Sequence, residues 1–157
     1  MMKKINLLYR LLICINILTI IMIGAQVFLL VIPDLYHSKA YENNVLGSFN
    51  NLALTVLLTI ILLGSYKVQQ GIQAIIKNGF FNPKSEVNFK KAGMILILFT
   101  FLRVVYIVII NSEFKLNELI NNSVLAFLVL LVGIGLLIFS DFIKNGGVLQ
   151  EENDLTI

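Results

Sequence analysis

The chain has 157 residues, 58% of them hydrophobic and only 13% charged, with a formal net charge of +3. About 25% charged is usual for a soluble domain, which needs polar residues to cover its surface, so an ordinary water-soluble globule is excluded. The basic residues form no stripe on a soluble surface, and direct nucleic-acid binding by this chain is not expected.

Charges are absent from residues 11–33, 43–66, 92–102 and 119–140. A hydrocarbon core of about 30 Å takes roughly 20 apolar helical residues, so these windows predict four transmembrane helices at about 11–32, 52–72, 92–110 and 119–143. The fold class expected is all-α: a polytopic four-transmembrane-helix bundle over residues 1–147, followed by a short acidic tail at 148–157.

Met1-Met2-Lys3-Lys4 resembles the basic start of a secretory leader. The apolar run behind it is about twice the usual 7–15 residues, which favours an uncleaved first span. Cys14 lies within that span as a lone thiol and cannot build an internal disulfide or a metal cluster. Pro33 stops the helix. A loop is expected over 34–50, carrying Tyr36, His37, Tyr41 and Phe49. One histidine without convergent partners does not make a metal site.

Beyond Lys67 the second span becomes amphipathic. Val68, Ile72, Ile75 and Ile76 share one face, while Gln69, Gln70, Gln73 and Lys77 share the other. This pattern reads as a continuation at headgroup level. Asn78-Gly79 supplies a C-cap and Phe80-Phe81-Asn82-Pro83 a turn. Ser85 is the expected cap of the third helix. The fourth span is expected to end at Gly146-Gly147.

Lysine and arginine near the span ends set orientation. Lys3, Lys4, Arg10, Lys67, Lys77, Lys84, Lys90, Lys91 and Lys144 fall on one side, against Lys39 and Lys115 on the other. The expected topology is therefore N-in/C-in. The basic middle loop, with Phe80, Phe81 and Phe89, is of the kind that attracts anionic lipid. Ile76-Lys77-Asn78-Gly79 returns 67 residues later as Ile143-Lys144-Asn145-Gly146. Two parallel hairpins would give such an echo, and so would shared composition.

Arg103 stands about twelve positions above Lys91, roughly 18 Å into the bilayer. Burial there costs from about 2.5 to more than 10 kcal/mol, depending on snorkelling and water defects. It either faces the bundle interior as a ligand or proton-path residue, or snorkels outward with help from Tyr106. Asn16, Gln26, Thr55, Thr59 and Thr100 are expected to hydrogen-bond between helices, and Gly24, Gly64, Gly133 and Gly135 to allow close approach. Small-residue faces make a homo-oligomer feasible. No phosphate-binding loop, His-Glu-x-x-His pair or Ser-His-Asp set is present, so neither an enzyme nor a cofactor is implied.

The tail alternates acidic and apolar residues, with Leu149, Glu151, Glu152, Asp154, Leu155 and Ile157 as candidate docking positions for a partner. Lys144-Asn145-Gly146 followed by Leu149-Gln150-Glu151-Glu152-Asn153-Asp154-Leu155-Thr156-Ile157 resembles the ending of a bacterial family of small four-span membrane proteins classed as a domain of unknown function. Its members are often encoded beside a Cro-like helix-turn-helix regulator. The resemblance implies a multi-pass protein of the bacterial inner membrane and offers no catalytic residues. It favours a non-enzymatic anchor or signalling partner of a small cytoplasmic DNA-binding regulator. The alternative is a small transporter or export/immunity factor using Arg103.

Overall fold

A computed structural model describes residues 2–31, 44–110 and 116–154, the side chains at 44–46, 110, 116–119, 121–122 and 154 excepted. The loop positions Tyr36, His37 and Tyr41, and Leu155 and Ile157 of the tail, lie outside the described residues. The fold is four helices: α1 (Met2–Val31), α2 (Asn44–Asn78), α3 (Pro83–Ile110) and α4 (Leu116–Asp154), with no strand among the described residues. All four are long and apolar enough to cross a membrane, and the chain is a multi-pass, all-α membrane protein. At 1.5 Å per residue, a 30 Å core uses about 20 residues. The 35 residues of α2 and 39 of α4 therefore project well past it.

Consecutive helices are the packed neighbours: α1 on α2, α2 on α3, α3 on α4. The bundle is open, and α1 is its most exposed member, with Asn16 its one buried residue. Leu18, Ile21, Phe28, Phe101, Phe127 and Ile138 all face outward. Apolar exteriors are the stable choice where the surroundings are lipid tails, and Cys14 shares that exposure on α1.

Because lipid removes the hydrophobic drive between helices, close fit has to hold them together. Gly93 on α3 meets Gly133 on α4: a β-carbon on Gly93 would lie 2.7 Å from the Gly133 carbonyl oxygen. The backbones can approach this closely only without side chains. Gly64 seats Leu96 in the same way between α2 and α3. Gly24 and Gly135, expected to do likewise, have nothing within reach of a β-carbon. Those two face outward, and Gly93 is the contact residue that span-level reading missed.

The core lies at one end. Ile72 and Ile75 of α2, Phe89 of α3 and Ile143 of α4 are buried together, flanked by Ile5, Tyr9 and Leu12 of α1 and by Phe139 of α4. Alternating helix directions bring the start of α1, the α2–α3 turn and the end of α4 to this end. All nine cations of the majority side belong here, which makes it the basic end of the bundle, the one expected to face the cytoplasm. The amphipathic end of α2 was expected to continue at headgroup level, and its apolar face is covered there by side chains of α1, α3 and α4.

Gly79 ends α2 with a φ of 86° and donates its N–H to the Ile75 carbonyl at 3.1 Å, the αL cap expected from Asn78-Gly79. The start of α3 differs from expectation. Asn82, not Ser85, is the N-cap: its Oδ1 accepts the Ser85 N–H at 2.8 Å, and Pro83 takes the first helical position, where no N–H is needed. The fully buried Ser85 hydroxyl donates to the Asn82 carbonyl at 2.9 Å. Asn82 Nδ2 reaches back to the carbonyls of Gly79 at 2.6 Å and Ala74 at 3.4 Å. One side chain thus ties the end of α2 to the start of α3.

The fourth helix also differs. It does not stop at Gly146-Gly147 but continues to Asp154. The ring of Phe81, from the α2–α3 turn, occupies the space a Gly146 side chain would need. These glycines form a notch for Phe81 and are not a stop. The echo between Ile76–Gly79 and Ile143–Gly146 therefore ends in two outcomes, a cap at Gly79 and an uninterrupted helix at Gly146.

Candidate functional site

Two polar regions stand out, one within the membrane and one at the basic end. Within the membrane, buried Asn16 on α1 donates from Nδ2 to Gln69 Oε1 of α2 at 2.6 Å, while its own Oδ1 is buried with no hydrogen-bond partner. This amide pair fixes α1 against α2 midway along a helix with little other buried surface. Gln26 takes part through its backbone: its carbonyl accepts Asn51 Nδ2 at 3.1 Å. Asn51 is only 1% exposed and keeps Oδ1 unpartnered. Neighbouring Asn50 accepts the Tyr106 hydroxyl, joining α2 to α3.

The loop was expected to run to about Asn50 and span two to begin near Asn51, yet α2 starts at Asn44 and carries both. Their adjacency at the edge of an apolar run was the available signal. Polar residues at a span's first turn can bond neighbouring helices as readily as water, and sequence does not distinguish the two.

The threonines divide. Thr100 shares its hydroxyl between the Leu96 carbonyl of its own helix at 3.0 Å and the Ala126 carbonyl of α4 at 3.4 Å. Among the described residues, Thr55 and Thr59 bond within α2, to the carbonyls of Asn51 and Thr55, each at 2.8 Å. They were expected to link helices. Back-bonding to the preceding turn satisfies a hydroxyl in lipid without a neighbour. Ser140 on α4, a further interhelical donor, gives its proton to the Glu86 carbonyl of α3 at 3.1 Å.

Arg103 is half-buried on α3, and its Nε is buried without a hydrogen-bond partner among the described residues. Tyr106, expected to assist it, donates its hydroxyl to Asn50 of α2. Among the described residues, no group of three His, Cys, Asp or Glu side chains converges as a metal site would require.

At the basic end the aromatic rings interlock. Phe80 stands edge-on to Phe81, Phe139 and Phe142, with centroids at 5.2, 5.8 and 6.4 Å, and Phe89 meets Phe139 at 5.0 Å. Edge-to-face pairs at these separations favour fixed orientations over sliding. The cluster joins the α2–α3 turn to α4 where α4 leaves the membrane.

Past that point α4 presents Val148, Leu149, Glu151 and Glu152 to the exterior, Leu149 at 59% exposure. Asp154 ends the helix. A cleft of about 350 Å³ lies between this segment and the start of α3, bordered by Phe81, Glu86, Lys144, Val148 and Glu151. A second cleft, of about 620 Å³, opens between the end of α2 and the start of α3. The arrangement can present a charged helical face and hold a small polar group. Comparison of the chain with known protein families, curated proteins and solved structures gives no match.

Proposed function

We propose that the protein is a non-enzymatic bacterial inner-membrane anchor or signalling partner for a small cytoplasmic helix-turn-helix regulator. The observation that supports this most is the continuation of α4 to Asp154 with Val148, Leu149, Glu151 and Glu152 exposed. From Lys144 onward this is about 16 Å of helix. A pre-formed helix loses less conformational entropy on binding than a disordered tail. Leu149 with its acidic neighbours suits a partner offering an apolar groove with a basic rim, and the basic faces of DNA-binding domains supply such rims. The Phe81 ring at Gly146 links the tail to the α2–α3 turn, so a shift between α3 and α4 within the bilayer would be felt at the docking face.

Co-purification from the native membrane in mild detergent tests this. The full chain should retain a regulator of this kind, and deletion of residues 148–157 should release it. Equal retention by both would remove the tail from the mechanism.

Arg103 favours a second reading, a small transporter or export/immunity factor, because an intramembrane cation with an unpartnered Nε is costly unless used. Flux and peptide-resistance assays on Arg103→Ala separate the two readings: lost resistance supports the second, while intact resistance with lost regulator binding on tail deletion supports the first.

A further inference from the structure

The larger cytoplasmic cleft has a chemistry that tail docking does not use. On α2, Gln70, Gln73 and Lys77 recur at intervals of three and four and form one stripe; on α3, Lys84, Val87 and Asn88 form the facing one. Two ammonium groups and several amides line about 620 Å³, with no carboxylate among the lining residues. The neighbouring cleft, by contrast, carries Glu86 and Glu151. Gln69, beside this stripe, is already engaged by Asn16 of α1, and the lining residues of the cleft do not include it.

Depth and hydrogen bonding narrow the ligand. Gln70 is three residues past Lys67, so the cleft opens about 5 Å beyond the edge of the apolar segment, at the level of lipid headgroups. Lys67 Nζ donates to Gln70 Oε1 at 2.8 Å. That occupies the acceptor end of the amide and leaves its N–H donors for an anion. Lys84 sits in the first turn of α3, where the helix dipole adds positive potential. Exposed Val87 gives the cleft an apolar wall beside its cations. A free phosphate has no use for such a wall, whereas a glycerol backbone and the first acyl carbons do.

We propose that this cleft binds the phosphate headgroup of an anionic glycerophospholipid from the inner leaflet. Lys77 and Lys84 neutralise the phosphodiester, Gln70 and Gln73 donate to its oxygens, and Val87 meets the glycerol. Basic pockets between transmembrane helices on the cytoplasmic side are suited to anionic headgroups.

The test is native mass spectrometry of the full chain in mild detergent, titrated with phosphatidylglycerol, phosphatidylcholine or inorganic phosphate. Phosphatidylglycerol should be retained in preference to phosphatidylcholine. The Lys77→Ala/Lys84→Ala variant should lose affinity about tenfold or more, and Lys77→Arg/Lys84→Arg should keep it. Lys3→Ala/Lys4→Ala, which removes the same charge from the same end, should bind as the unaltered chain does. If the alanine pair does not fold, as judged by size exclusion, Lys77→Gln/Lys84→Gln takes its place. Equal retention of the two lipids, an equal loss in the Lys3/Lys4 variant, or inorganic phosphate binding as tightly as the lipid would each overturn the proposal.

Discussion

The ring of Phe81 fills the position that a side chain at Gly146 would occupy, locking the α2–α3 turn against α4 where α4 emerges from the membrane. The contact joins a turn between two spans to the exposed helix that follows the last one. Gly146 is therefore a contact residue within a continuous helix, and its replacement has two opposed effects. Alanine raises helix propensity by about 1 kcal/mol, while its β-carbon displaces the ring.

Gly146→Leu should therefore uncouple the turn from the tail. Partner retention should fall severalfold with the chain still folded, and Phe81→Ala should do the same by removing the other half of the contact. Co-purification read alongside size exclusion checks this; full retention in both variants would leave the contact without a functional role.

The Gly93–Gly133 crossing predicts a sharp contrast among glycines. Gly93→Val or Gly133→Val should destabilise the α3–α4 pair by about 1–3 kcal/mol, the usual range for overpacking. Gly24→Val and Gly135→Val, where a β-carbon meets nothing, should shift stability by about 0.5 kcal/mol or less. Denaturant titration in a fixed detergent measures all four. A uniform response would mean that helix propensity, not interhelical distance, governs these sites.

Asn82 and Ser85 make competing predictions about the start of α3. Asn82→Ala removes the cap and the bonds to Gly79 and Ala74, and should cost about 1–2 kcal/mol. Asn82→Asp keeps the capping oxygen but loses the donor, and should fall between. Ser85→Ala should cost less than Asn82→Ala, because it removes hydroxyl bonds and no cap. The reverse order in thermal unfolding would restore Ser85 as the cap.

The Asn16–Gln69 pair predicts an asymmetry. Gln69→Leu leaves the whole Asn16 amide buried without a partner, whereas Asn16→Leu/Gln69→Leu removes both polar groups. The single change should be the more damaging, by about 1–3 kcal/mol, and the double should approach the original stability. With the double near the original stability, the coupling in a double-mutant cycle equals the summed costs of the two single changes, at least about 1 kcal/mol. A double variant worse than either single would mean that the pair also sets the helix register.

The four spans, the all-α class, the basic end and the Asn78-Gly79 cap followed from sequence, because each rests on local chemistry. A bilayer demands about 20 apolar residues in a row, and a φ of 86° is cheap only for glycine. What depended on distant partners was not legible. Gly146-Gly147 has the composition of a stop, and only the arrival of Phe81, some 65 positions earlier, makes it a notch within α4. Gly93 and Gly135 look alike in their spans, yet one touches a backbone and the other faces outward. Thr59 and Thr100 are both intramembrane hydroxyls, but only Thr100 has a neighbouring carbonyl within reach. Lipid is apolar on every side of a span, so hydropathy cannot say which face meets another helix. Packing geometry alone decides that, and with it where the clefts of the basic end are formed.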